Sequence, residues 1–109
     1  MHYKLVDETP KTFVLVFEPK DEVAQGIKEF ASEQKLASAS FKAIGALSSV
    51  KLGWHNWETK QYEPSDGTAH GGHLLQAHVR PTCEVVLTES PVHLRKQFDP
   101  AAGIALIKL

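Results

Sequence analysis

At 109 residues and 42% apolar content, the chain carries enough hydrophobic material for one compact domain, spanning 1–109, and too little for two. A formal charge of −1 and a pI near 6.6 leave no clustered Lys and Arg for gripping a phosphate backbone, so DNA binding by this chain alone is disfavoured. The single cysteine, Cys83, excludes an internal disulfide.

The opening Met1-His2-Tyr3-Lys4-Leu5 lacks the apolar core of a signal peptide, and no later run approaches the roughly 20 apolar residues of a membrane helix. A cytoplasmic protein with no membrane partner is expected. Thr12 to Phe17 is a continuous β-prone run between Pro10 and Pro19, which predicts a strand in the middle of a sheet, covered on both faces. Asp21 reads as a helix N-cap. Beyond it Val23, Ile27, Phe30 and Ala31 recur on one face while Glu22, Lys28, Glu29, Ser32 and Glu33 stay polar, the pattern of a helix lying on a sheet. Gly26 inside that helix costs about 1 kcal/mol relative to Ala, and close helix–sheet contact would account for it.

Ala37 to Ile44 reads as a second strand, ended by a tight turn at Gly45-Ala46-Leu47. Val50 to Trp57 follows as a third, with Val50, Leu52 and Trp54 facing one way and Lys51, Gly53 and His55 the other. Glu58-Thr59-Lys60 turns the chain, Gln61-Tyr62-Glu63 returns as a short hairpin strand, and Pro64-Ser65-Asp66-Gly67 turns it again. From His73 to Thr88 one alternation persists: His73, Leu75, Ala77, Val79, Cys83, Val85 and Leu87 share a parity, and Gln76, His78, Arg80, Thr82, Glu84 and Thr88 share the other. This is a half-buried strand in which Pro81 marks a bend, bulge or edge. Ser90 and Pro91 suit the start of a helical turn, Asp99 to Gly103 is a turn, and Ile104 to Leu109 closes as a last strand.

The alternation aims the His73 imidazole at the apolar side, directly after Gly71-Gly72, where it reads either as a ligand-holding residue or as a hydrogen-bonded pocket histidine. His78 has the opposite parity and is expected to point away, while His70 could fold back over the glycines. Cys83 on the apolar parity reads as a buried, inert thiol. Trp54, Trp57 and Tyr62 could form a stacking platform, although aromatic clusters on hairpins more often serve core or subunit interface. Arg80 and Glu84 share a face and suggest a solvated ion pair; His93, Arg95 and Lys96 suggest a solvated helix face. The serines fit no nucleophile elbow, and no phosphate loop follows the first strand.

The order of Gly45-Ala46-Leu47, Lys51-Leu52-Gly53-Trp54, Asp66-Gly67, Gly71-Gly72-His73-Leu74, Pro81-Thr82 and Glu84 to Glu89 resembles the plants-and-prokaryotes conserved (PPC) domain in its prokaryotic form, from Phe13 to Ile107. The resemblance implies an α/β (α+β) fold, a mostly antiparallel sheet with one main amphipathic helix, assembling as a trimer. Plant relatives carry an AT-hook for DNA; its Arg-Gly-Arg core is missing here. Prokaryotic members also resemble, in fold, the acetolactate decarboxylases, where three histidines hold zinc. Where the family pattern has two further strands after the short hairpin, the second bearing a His-x-His pair, this chain passes from Pro64 to Ser65-Asp66-Gly67. His73 is then the one metal ligand that maps.

One histidine is too few to retain zinc, which needs three or four placed donors. The expectation is therefore a non-enzymatic, self-associating domain without a cofactor, and the DNA-binding or regulatory role that the resemblance implies would be exercised through the oligomer. Gly71, Gly72 and His73 are its candidate ligand-binding residues, and Trp54, Trp57 and Tyr62 its candidate interface. The alternative is a metal-dependent small-molecule binder or lyase with a pocket around His73, using zinc. Loss of two strands would leave open sheet edges, which recruit partners.

Overall fold

The computed structural model describes residues 1–65, 72–91 and 94–108. A five-stranded antiparallel sheet has the order β1-β2-β5-β3-β4, built from β1 His2–Glu8, β2 Lys11–Phe17, β3 Ala39–Asn56, β4 Gln61–Ser65 and β5 His73–Glu89. Helix α1, Val23–Glu33, lies on one face, and β6 Lys96–Asp99 pairs with β7 Ile104–Ile107 as a separate hairpin. This is the expected class, with β1 and β6 added; both are short, polar-interrupted segments whose strand character depends on a neighbour.

The core forms between α1 and the odd-numbered side chains of β2 and β5. Phe13, Leu15 and Phe17 meet Val85, Leu87, Cys83, Val79 and Ala77, and α1 closes over them with Val23 and Phe30. Phe30 packs edge-on to Phe13 and Tyr3, with ring centroids 4.9 and 4.8 Å away. Burying a side chain of this size stabilises the fold by about 2–3 kcal/mol. The opposite face of β2 is only half-buried at Val14 and Val16, so the cover expected on both faces is supplied on one. Gly26 is required: a Cβ there would overlap Cε1 of Phe17, a ring that is itself 1% exposed.

The helix cap is Glu22, not Asp21. Its carboxylate accepts the N–H groups of Ala24 (2.6 Å) and Gln25 (3.0 Å), whereas Asp21 turns back to accept the Glu18 N–H at 2.8 Å. A shorter Asp side chain normally favours the cap, but here Asp21 is recruited by the preceding turn.

The tight turn expected at Gly45 is absent. Residues 39–56 run as one strand along β5, and the disturbance is absorbed by irregular register between Gly45 and Leu47 and again between Leu47 and Ser49. The reason lies opposite Gly45, whose missing Cβ would sit 2.6 Å from the Cys83 Cα. Glycine here permits close strand approach, and the irregularity bends the ribbon without reversing it.

Candidate functional site

A further irregularity decides where His73 points. Lys51 pairs with Gln76 and Leu52 with Leu74, which makes Leu75 an extra residue on β5. Side-chain alternation changes sense across such a bulge. Leu74 thus packs against the core, Leu75 is 38% exposed, and His73, opposite Gly53, belongs to the face away from α1. The expectation that His73 shares the apolar parity with Ala77 and Val79 is overturned, and so is the opposition of His73 and His78. Ser49 pairs with His78 and Gly53 with His73, four residues apart on β3 with regular alternation between them, so both histidines lie on one face. About 13 Å of strand separates them, too far to share an ion.

His73 has a different neighbour. The Tyr62 ring lies with its centroid 4.7 Å from that of His73, in an edge contact, and 5.6 Å from that of His55 on the other side. Tyr62 reaches both because it pairs directly with His55 in the β3–β4 hairpin. His55 Nε2 donates to the Ala102 carbonyl at 2.7 Å, which brings the turn between β6 and β7 onto this face. That bond places the ring proton on Nε2, so the neutral imidazole keeps a bare lone pair on Nδ1. Nδ1 is buried and has no partner among the described residues. His55 is the participant that sequence reasoning passed over: its facing was legible, but its contact with Ala102 depends on a distant turn folding back.

The residues present do not make a zinc set. Among the described residues no three His, Cys, Asp or Glu side chains converge, and His55 with His73 is two imidazoles separated by a phenol. His70 and Gly71 lie outside the described residues, as do Asp66, Gly67 and His93. Gly72 is exposed and approaches Gly53, whose carbonyl oxygen would be 3.0 Å from a Cβ. Close to this segment, a cavity of about 390 Å³ is lined by Ala24, Ile27 and Lys28 of α1, Phe41 of β3 and residues Gly72 to Leu74.

The aromatic residues do not assemble into one platform. Trp54 neighbours His55 along β3, so it projects from the face opposite Tyr62, and Trp57 sits in the turn with the Lys60 Nζ 3.4 Å above its ring. All three are exposed, at 42% for Trp54, 60% for Trp57 and 46% for Tyr62. Cys83 is buried, and its thiol is pushed up by burial and then by the charge of Glu84. Among the described residues Arg80 and Glu84 form no ion pair, and the β3–β5 register is irregular between them.

The family model of the Plants and Prokaryotes Conserved (PCC, here PPC) domain matches residues 6–66, more than half of the chain. The chain belongs to the PPC domain family. No curated protein matches it significantly by sequence. Among solved structures, the PPC domain described here is similar to a candidate DNA-binding protein of Ralstonia eutropha JMP134, at 25% identity over 89% of this chain and 90% of that one, with a TM-score of 0.73. It has the fold of a candidate DNA-binding protein of Bacteroides thetaiotaomicron VPI-5482, at 19% identity over 98% and 96% of the two chains and a TM-score of 0.80. A metal-containing protein of Archaeoglobus fulgidus shares the fold at 23% identity, 99% and 97% coverage and a TM-score of 0.70.

Proposed function

We propose that this PPC domain is a self-associating module without catalytic chemistry, and that its DNA-binding or regulatory role is exercised through the oligomer. The observation that carries the reading is the state of β3. It pairs with β5 from Ala39 to Gly53, but β4 covers its other edge only from Leu52 to Asn56. From Ala39 to Lys51 that edge has no strand partner among the described residues. An interior strand normally buries its apolar side chains, yet Phe41, Ile44, Leu47 and Val50 are all exposed here, Ile44 by 78%. Long, apolar, unpaired edges of this kind pair with another chain.

The β6–β7 hairpin supports the same reading. Two short strands alone are marginal in water, and this hairpin exposes Phe98 and Ile107. A second copy that covers β3 and Phe98 satisfies both, and the assembly that the family resemblance implies is a trimer. Within it, basic side chains of several copies could add into a DNA-binding surface that a single chain of charge −1 does not provide. The candidate DNA-binding proteins of Ralstonia and Bacteroides are consistent with such a role.

Analytical ultracentrifugation of the wild type against Ile44→Asp tests association. An oligomer that dissociates to a folded monomer on substitution is expected; a wild-type monomer at micromolar concentration overturns the reading. A gel shift across salt concentrations tests DNA, where steepening loss of binding with salt is expected and no binding at low salt removes direct contact.

The cavity between α1 and Gly72 to Leu74, which His73 borders although its ring packs on Tyr62, favours a second reading, a small-molecule pocket around His73. Metal in this reading needs donors from a neighbouring copy or from His70. Metal analysis of purified protein beside His73→Ala decides it: stoichiometric zinc lost on substitution supports a shared site, and metal-free wild type removes it.

A further inference from the structure

A separate depression of about 590 Å³ opens where β3 and β5 depart from regular register. It is lined by Pro19 and Lys20 from the turn after β2, by Ser48 and Ser49 of β3, and by the β5 segment His78 to Pro81. Its size falls in the range of small-molecule sites. We propose that it binds the phosphate group of a small phosphorylated molecule whose apolar body rests against Pro19 and Pro81.

The charges at this site suit an anion. Lys20 and Arg80 line the depression from opposite elements, both exposed, and among the described residues neither has an ion-pair partner. Each carboxylate near Lys20 in sequence is engaged elsewhere. Glu18 holds His2, Asp21 holds the N-terminal amine at 3.4 Å and the Glu18 N–H, and Glu22 caps α1 and accepts the Ala77 N–H. Two cationic residues without an ion-pair partner among the described residues therefore line one concave site on a chain whose net charge is −1.

Neutral polar groups lie beside them. Ser49 Oγ and His78 Nδ1 lie 3.1 Å apart, and Ser48 Oγ donates to the His78 carbonyl at 3.4 Å. Both hydroxyls and the imidazole thus sit beside the cations, and His78 Nε2 has no hydrogen-bond partner among the described residues. The Ser48 proton is committed to the His78 carbonyl, and the Ser49–His78 contact leaves one free donor, the Ser49 O–H or the His78 Nε2–H according to the tautomer; a tetrahedral oxyanion can accept that donor together with a guanidinium fork and an ammonium, whereas a carboxylate would satisfy fewer of them.

The backbone that carries Lys20 is held in place. Lys20 adopts a left-handed φ of 77°, its N–H bonded to the Val79 carbonyl at 3.2 Å, and the Val79 N–H bonds back to the Asp21 carbonyl at 3.0 Å. These two bonds fasten the Pro19–Lys20 turn against β5 next to Arg80. Duplex DNA is disfavoured as the occupant, because it requires many cations along a convex stripe and this site offers two in a hollow.

The test is an amide NMR titration of the intact protein with inorganic phosphate and with phenyl phosphate at constant ionic strength, beside a chloride control. Saturable shifts at Ser48, Ser49, Val79 and Arg80 are expected, with phenyl phosphate the tighter ligand. Lys20→Met and Arg80→Met should each weaken binding by about tenfold, the scale of one charge-assisted hydrogen bond, with thermal midpoints unchanged. An absence of saturable shifts, the same shifts with chloride, or full binding in both variants would overturn the assignment. Equal affinity for the two phosphates would remove the apolar body from it, and binding of a short DNA duplex with neither small probe would replace it with a backbone contact.

Discussion

The Glu22 carboxylate accepts the Ala77 N–H at 3.0 Å across 55 residues of chain, using an oxygen that also caps the first turn of α1. One side chain therefore fixes the start of the helix and closes the stretch of β5 that lies beyond the end of β2. Burial pushes its carboxyl up, and the N–H groups of Ala77, Gln25 and Ala24, with the His78 ring, bring it below the ordinary value. Glu22→Gln is expected to destabilise the domain by about 1–3 kcal/mol at neutral pH, measured by urea unfolding. Because the folded value is lowered, this contribution is complete above the unfolded value near 4.5 and is lost as pH falls through the folded one. The gap between wild type and variant should narrow over that acid range and stay constant above it.

Gly26→Ala is expected to destabilise, against the usual trend. In a helix exposed to water this change gains about 1 kcal/mol, but here the new methyl group meets the buried Phe17 ring, with Cζ at 3.0 Å. Overpacking of this kind costs about 1–3 kcal/mol. Thermal denaturation reads the sign directly, and a raised midpoint would mean that α1 does not seat on β2 as described.

Removing the imidazole of His55 should loosen the C-terminal hairpin more than the sheet. The Nε2 bond to Ala102 is lost in His55→Ala, and amide exchange at Phe98 and Ala105 should accelerate about fivefold, the equivalent of one hydrogen bond near 1 kcal/mol. Amides of Val85 and Leu87 should keep their protection. Uniform acceleration of both sets would show that His55 supports the whole domain.

Cys83 should be unreactive while the protein is folded. Its thiol is 5% exposed and its ionisation is opposed by burial and by Glu84. Reaction with a disulfide reagent should follow the urea unfolding curve; rapid labelling in the absence of denaturant would contradict the buried placement.

Elements with a local signal were legible in the order of residues: the apolar run Thr12 to Phe17, the helix around Ile27 and Phe30, the hairpin through Glu58 to Lys60, and the buried series from Ala77 to Leu87. In each, side-chain period and turn chemistry agree, and burial follows from them. The family was legible on the same basis, from short motifs in a fixed order. The direction of His73 depended on the folded sheet, because one added residue at Leu75 inverts the facing of everything before it, and alternation contains no sign of where a ladder slips. The same holds for Gly45, where a residue suited to a turn instead lets two strands close on each other, and for His55, Tyr62 and Ala102, which meet only because a distant turn folds onto the sheet. Register and long-range closure arise from pairings between distant segments, and no window of neighbouring residues encodes them.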